Sequence, residues 1–167
     1  MSEIWLIIWR FQPLHVGHLL LIETSLKETP ATLVLIGSIN KCDKGNPYSY
    51  ELRREMILWE INDSKLSLWW LSDTPNDKEW VKQLISYIPK QVSVCKLYCG
   101  DKKLDSAVQS LLALKDTLDF QIEIIEIPRS IVSVSATDVR KWIQEKNHSK
   151  LNKYLKKNTL KILKEAS

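Results

Sequence analysis

The chain has 167 residues, 44% of them hydrophobic and 26% charged, and a formal net charge of +4. That length suits one domain of ~100–200 residues, the composition is near the globular average, and no apolar run approaches the ~20 residues of a membrane span. The charge is uneven, because residues 141–167 carry eight lysines against two glutamates, leaving −2 on the rest, so the body is not a basic platform for nucleic acid.

In chain order, "IWLIIW" at 4–9 reads as a strand; the opening "MSEIWLIIWR" is too short in its apolar run for a signal peptide and has Glu3 where a basic segment belongs. "WRFQPLHVGH" follows at 9–18, then a helical pattern over 16–28, a strand "TLVLIGS" at 32–38 and a helix over 49–61. Strands "LSLWWL" at 66–71, "VSVCKLYC" at 92–99 and "FQIEIIEI" at 120–127 alternate with helices over 77–88, 104–115 and 136–146. The first two strands are continuously apolar, as in a sheet covered on both faces. This alternation predicts an α/β fold: a Rossmann-like, mainly parallel five-stranded sheet with helices on both faces and a ligand crevice at the carboxyl ends of the strands. No repeat or linker divides the chain, and one domain over 1–167 is expected.

Residues 146–167 form the C-terminal helical tail, read as one amphipathic helix. Lys146, Lys150, Lys153, Lys157, Lys161 and Lys164 recur three or four apart, and Leu151, Tyr154, Leu155, Leu160 and Leu163 supply apolar positions. A solvated lysine face is the expectation, over contact with RNA or membrane. Cys42, Cys95 and Cys99 match no zinc spacing and suit reduced thiols in a cytoplasmic setting. Trp5, Trp59, Trp69, Trp70 and Trp142 are read as packing residues.

The stretch from Arg10 to His18 lies between the first strand and the first helix. His15 and His18 are three apart and share one helical face near an N-terminus, where unpaired N–H groups and the helix dipole favour an anion. Pro13 helps hold the turn, and Gly17 removes a side chain between phosphate and backbone. The loop reads as a phosphate cradle. A zinc site on the two histidines finds no third ligand nearby, so no metal-binding residue is assigned. "SATDVR" at 135–140 has the pattern of a helix start, with Ser135 as cap and Asp138 in the first turn. Trp80, Leu84 and Tyr87 make an apolar helical stripe.

"RFQPLHVGH" resembles the H-x-G-H signature of the nucleotidyltransferase superfamily, in the form found in archaeal-type nicotinamide-nucleotide adenylyltransferases. The similarity continues through "GSINKCDKGNPYSYELRREMI" (37–57), "NDKEW" (76–80), "YCGDKK" (98–103) and "SATDVR". The resemblance implies transfer of AMP from ATP to nicotinamide mononucleotide with Mg²⁺, giving NAD and pyrophosphate without a covalent intermediate. On the same footing His15, His18, Arg10 and Arg140 are the catalytic set. ATP is assigned to Phe11, Gln12, Gly17, Arg53, Ser135, Thr137, Gly100 and Asp101, and the mononucleotide to Trp80, Asn76, Gly37, Ser38 and Asn46. Guanidinium forks suit a triphosphate, and an indole suits a cationic pyridinium. The chain departs from the family pattern at Trp9, where glycine is usual, and at Leu52, where glutamate is usual. The stand-alone form and a homo-oligomer are expected, with no nucleic acid or membrane partner. The alternatives are another acceptor (nicotinate mononucleotide, FMN or a pantetheine phosphate) and a nucleotide-binding sensor with impaired turnover.

Overall fold

Five apolar runs become five strands in a computed structural model of the chain, which describes residues 2–99, 106–126 and 133–166. They are β1 (Ser2–Trp9), β2 (Thr32–Ile36), β3 (Leu66–Trp70), β4 (Val92–Cys99) and β5 (Gln121–Glu126). Every pairing is parallel and the order is β3-β2-β1-β4-β5, so the sheet is wholly rather than mainly parallel. The chain builds outward from β1 to β3, then crosses back to lay β4 on the other side of β1. That reversal is where an open parallel sheet presents a crevice at its carboxyl edge.

Helices α1 (Val16–Glu28), α2 (Tyr50–Glu60), α3 (Asp77–Ser86) and α4 (Ser106–Ala113) connect the strands; α5 (Ala136–Gln144), α6 (His148–Tyr154) and α7 (Lys157–Glu165) follow β5. Alternation along β1 divides the core in two, since successive side chains take opposite faces. Trp5 and Ile7 join Leu19, Ile22, Met56, Ile57, Val139, Leu151 and Ile162 under α1, α2 and the C-terminal helices. Ile4 and Leu6 join Val81, Leu84, Val108 and Leu111 under α3 and α4. Helices therefore cover both faces, as the continuously apolar strands require.

The tail differs from its sequence reading: it is two helices, not one over 146–167. Lysine spacing of three or four continues across the break and cannot reveal it. Leu155, buried, takes an extended backbone (φ −117°, ψ 142°) between α6 and α7. Asn147 caps α6 by accepting from Lys150 N–H. No side chain of its own caps α7; instead Glu60 at the end of α2 accepts from Thr159 N–H at 2.9 Å and from Thr159 Oγ1 at 3.1 Å. The break thus turns the second helix so that a distant carboxylate meets its first turn, where negative charge is favourable.

Three of the tryptophans read as packing residues are instead open to solvent: Trp59 at 52%, Trp69 at 49% and Trp70 at 39%. Trp69 and Trp70 lie on an edge strand and pack against Tyr87 at 5.5 and 6.1 Å, while Lys161 stands 5.4 Å from the Trp59 ring. Trp5 is core, and Cys95 is buried on β4, its thiol pushed up to about 12 by burial, as suits an inert small hydrophobe.

Replacing Glu60 with Ala removes the acceptor for the α7 first turn, and loss of a cap costs about 1 kcal/mol. Urea unfolding is expected to show that loss, with amide exchange accelerated at Thr159 and Leu160. A variant with unchanged exchange there would show that α7 docks without the carboxylate.

Candidate functional site

The loop after β1 lies at the carboxyl edge of the sheet beside its central strand. Its conformation is set by three features: Phe11 is buried with φ at 52°, the Gln12–Pro13 peptide is cis, and Gln12 is buried. The Gln12 amide pairs with the backbone of Tyr48 in both directions, Nε2 donating to the carbonyl and Oε1 accepting from the N–H, each at 3.0 Å. A side chain has here taken the place of a strand neighbour, tying the first loop to the segment before α2.

His15 is the N-cap of α1, a place usually taken by Ser, Thr, Asp or Asn. Its Nδ1 accepts from Gly17 N–H at 3.2 Å, and its own N–H donates to His18 Nδ1 at 3.3 Å. The two imidazoles stack with centroids 3.7 Å apart and planes 20° from parallel. Since each Nδ1 is an acceptor, each neutral ring carries its proton on Nε2. Burial holds His15 down to about 4, against a small opposing pull from Asp138, and drives His18 well below its usual value, with His15 adding to the effect. The pair is neutral at pH 7, and each ring keeps an Nε2–H to donate.

Guanidinium groups from three separate segments meet this loop. Arg140 of α5 donates through Nη1 to the Gln12 carbonyl at 2.6 Å and through Nη2 to Thr137 Oγ1 at 3.1 Å. Arg10, exposed, donates to Asn46 Oδ1 at 3.3 Å. Arg53 is fully buried, and lies beneath the loops rather than on their surface. Its Nη1 donates to the carbonyls of Arg10 and Gly37 at 2.8 and 2.7 Å, and its Nε to Ser49 O at 3.1 Å. Burial lowers its affinity for its proton, and its Nη2, also buried, has no partner among the described residues. A buried donor left unpaired costs ~1–3 kcal/mol, more when charged.

Ser135 caps α5 reciprocally with Asp138: Ser135 Oγ accepts from Asp138 N–H at 3.1 Å and donates to Asp138 Oδ2 at 2.6 Å, and Ser135 N–H donates to the same oxygen at 3.1 Å. These bonds keep the Asp138 carboxyl below its ordinary range. Between β2 and α2, an Asx turn at Asp43 orders the segment; its Oδ1 accepts from Gly45 N–H, Asn46 N–H and Asn46 Nδ2. Ser38 (φ 52°) donates to Asp73 Oδ1 at 2.9 Å.

His15, His18, Phe11, Gln12, Gly17, Arg10, Arg53, Arg140, Thr137, Gly37 and Asn46 are thus linked around one loop. Asn76 and Trp80 stand apart on α3. Asn76 caps that helix, accepting from Glu79 N–H, and half-buried Trp80 packs on the core under α3 and α4. Gly100 and Asp101 lie outside the described residues. Nothing in the sequence marks Tyr48, because its part is played by backbone atoms that any residue carries. Among the described residues no group of three or more His, Cys, Asp or Glu is placed to hold a metal ion, and no helix is long and apolar enough to cross a membrane.

A parallel sheet of this order, with an imidazole pair capping the helix after its central strand, defines an α/β class whose crevice and helix N-terminus suit an anion. The family model for cytidylyltransferase-like proteins matches residues 8–142, and the chain belongs to that family. It is 31% identical over 81 residues to the nicotinamide/nicotinic acid mononucleotide adenylyltransferase of Acinetobacter baylyi, a match covering 46% of this chain and 43% of that protein. It is also 31% identical over 87 residues to the nicotinamide-nucleotide adenylyltransferase of Saccharolobus solfataricus, covering 48% of this chain and 51% of that one. The matched stretch thus spans about half the length of these relatives. Among solved structures, a bifunctional NMN adenylyltransferase/ADP ribose pyrophosphatase from Francisella tularensis, complexed with AMP and a manganese ion, superposes with a TM-score of 0.65. The identity is 23%, over 84% of this chain and 41% of that one, a likeness of fold.

The histidine pair makes stability depend on pH with a definite sign. As pH falls from the unfolded value near 6.5 toward the His15 value of about 4, the unfolded chain binds protons that the folded chain refuses. Stability is therefore full above that window and declines through it. His15→Asn keeps a cap acceptor without titrating, and is expected to shallow the decline in urea midpoints between pH ~7 and ~5. An identical slope in both proteins would show that the imidazole protonates freely in the fold.

Proposed function

We propose that this chain is an adenylyltransferase that moves AMP from ATP to nicotinamide mononucleotide, forming NAD and pyrophosphate. The observation that carries this reading is the pair of neutral imidazoles at the α1 N-terminus, with Arg140 held on the same loop. An oxygen of the acceptor phosphate attacks the α-phosphorus in line as the bond to the β-phosphate's bridging oxygen breaks, and pyrophosphate leaves. Such a transfer needs placement and charge neutralisation more than covalent help. His15 and His18 donate from Nε2 to oxygens gaining charge, while Arg10 and Arg140 supply the permanent positive charge that neutral imidazoles do not. No covalent intermediate forms.

Phe11, Gln12 and Gly17 shape the ATP-facing backbone, Ser135 and Thr137 present the α5 N-terminus, and Arg53 supports the site from beneath by holding the Arg10 and Gly37 carbonyls; Gly100 and Asp101 are included by resemblance alone. Trp80 would stack on the nicotinamide ring and Asn76 orient its carboxamide, with Gly37, Ser38 and Asn46 on the acceptor side. With imidazole and guanidinium groups dominating the loop, Mg²⁺ fits as a partner of the triphosphate oxygens, where it would offset phosphate charge. The chain is expected to work in the cytoplasm as a homo-oligomer. Nicotinate mononucleotide is the second acceptor to consider, because the Acinetobacter relative's name carries both mononucleotides.

With Mg²⁺, ATP and nicotinamide mononucleotide, the purified protein is expected to release pyrophosphate and form NAD, and His18→Ala to lower kcat by at least ~10²-fold, as removal of a transition-state donor does. Near-normal turnover by that variant would remove His18 from the chemistry; ATP binding without product from any mononucleotide would favour the sensor. Trp80→Ala is expected to raise KM for the mononucleotide while leaving that for ATP unchanged. Equal rises in both would make Trp80 a packing residue. Running both mononucleotides side by side ranks the acceptors.

A further inference from the structure

The mechanism above uses His18 but does not explain what holds it. Among the described residues one hydrogen bond, from His15 N–H to Nδ1, restrains the imidazole at a single point. The remaining restraint comes from three rings. His15 stacks on it, Phe11 lies 4.8 Å away at 58°, and Trp9 lies 4.7 Å away at 68°, near the edge-to-face geometry that aromatic pairs prefer. Of these, Trp9 has the firmest base. It is the last residue of β1, paired with Ile36, and its carbonyl accepts from Gly37 N–H at 2.9 Å. The indole is therefore a wall built on the sheet rather than on the loop, and sites mounted on strands hold their geometry better than sites on loops.

We propose that Trp9 is a positioning residue for His18: its indole closes one side of the imidazole, keeps water from that side, and preserves the ring orientation in which Nδ1 accepts and Nε2–H donates. The low proton affinity of His18 agrees with such enclosure, since burial is its main cause. Among the described residues the other ionisable groups around His18 are His15 on the same cap, Asp138 and Arg140 on α5, Arg10 on the loop and Arg53 beneath it. All of them remain when Trp9 is changed, so a shift in His18 titration on substitution reports the indole. The role in catalysis rests on the adenylyl-transfer reading; the restraint on the imidazole does not.

Two measurements on Trp9→Gly, Trp9→Leu and Trp9→Phe separate those claims. In the free protein, the His18 imidazole is followed by NMR against pH. Glycine and leucine are expected to raise its apparent pKa by about one unit or more, toward the free-imidazole value of ~6.5, while phenylalanine, which restores a ring, stays near wild type. In steady-state assays, glycine and leucine are expected to lower kcat about tenfold with KM for ATP little changed and the acid limb of the pH profile moved upward, and phenylalanine to recover most of kcat. Leucine keeps an apolar filler, so it carries the test if the glycine variant does not fold. His18 titration unmoved in the leucine variant overturns the proposal, because an indole that merely fills space has no reason to move it or to be rescued by phenylalanine. A moved titration in a protein that turns over no mononucleotide would leave the restraint standing and remove the proposed reaction.

Discussion

Everything at this site depends on a helix capped by imidazoles. The first N–H groups of α1 have no partners within the helix, and the two rings meet that need where a hydroxyl or carboxylate ordinarily would. Using Nδ1 as the acceptor has two consequences at once: the protonated nitrogen becomes Nε2 in both rings, and a second proton on either ring would turn an acceptor against an N–H donor. Burial presses in the same direction. The cap that completes the helix therefore also sets the tautomer of the pair, and folding extends its neutrality well below pH 7.

Around that cap, the surrounding side chains hold backbone more than they hold one another. Arg53 binds the carbonyls of Arg10, Gly37 and Ser49; Arg140 binds that of Gln12; the Gln12 amide binds both polar groups of Tyr48. Five carbonyls, those of Arg10, Gln12, Gly37, Tyr48 and Ser49, gain a side-chain donor this way, and that of Ser49 also accepts from Arg53 N–H in the first turn of α2. Positive charge is thereby held beside the loop by hydrogen bonds to fixed dipoles, and Arg53 is the extreme case, a guanidinium with no ion-pair partner among the described residues. In the C-terminal helices the same logic appears with the sign reversed, as Glu60 meets the first turn of α7.

Much of the fold was legible because its causes are local. The run at 4–9 is apolar at every position and that at 32–36 at all but Thr32, whose hydroxyl pairs with that of Ser25, as a strand covered on both faces demands, and the intervening helical periods leave few ways to connect parallel strands. The N-cap Ser135 is legible in the same way, its hydroxyl accepting from Asp138 N–H three residues on. The histidine spacing placed both rings on one face. What periodicity could not reveal was the break at Leu155, since the lysines keep their rhythm through it, nor the exposure of Trp69 and Trp70, which depends on β3 being an edge.

Residue type and spacing were enough to propose an anion-binding turn at Arg10–His18, because hydrogen-bonding capacity and helix geometry travel with the local sequence. They could not show that Arg53 lies under that turn instead of over it, that Trp9 stands against His18, or that both imidazoles are uncharged. Each of these depends on what approaches from segments dozens of residues away, since desolvation and ring contacts are properties of the packed assembly and of no single stretch of chain.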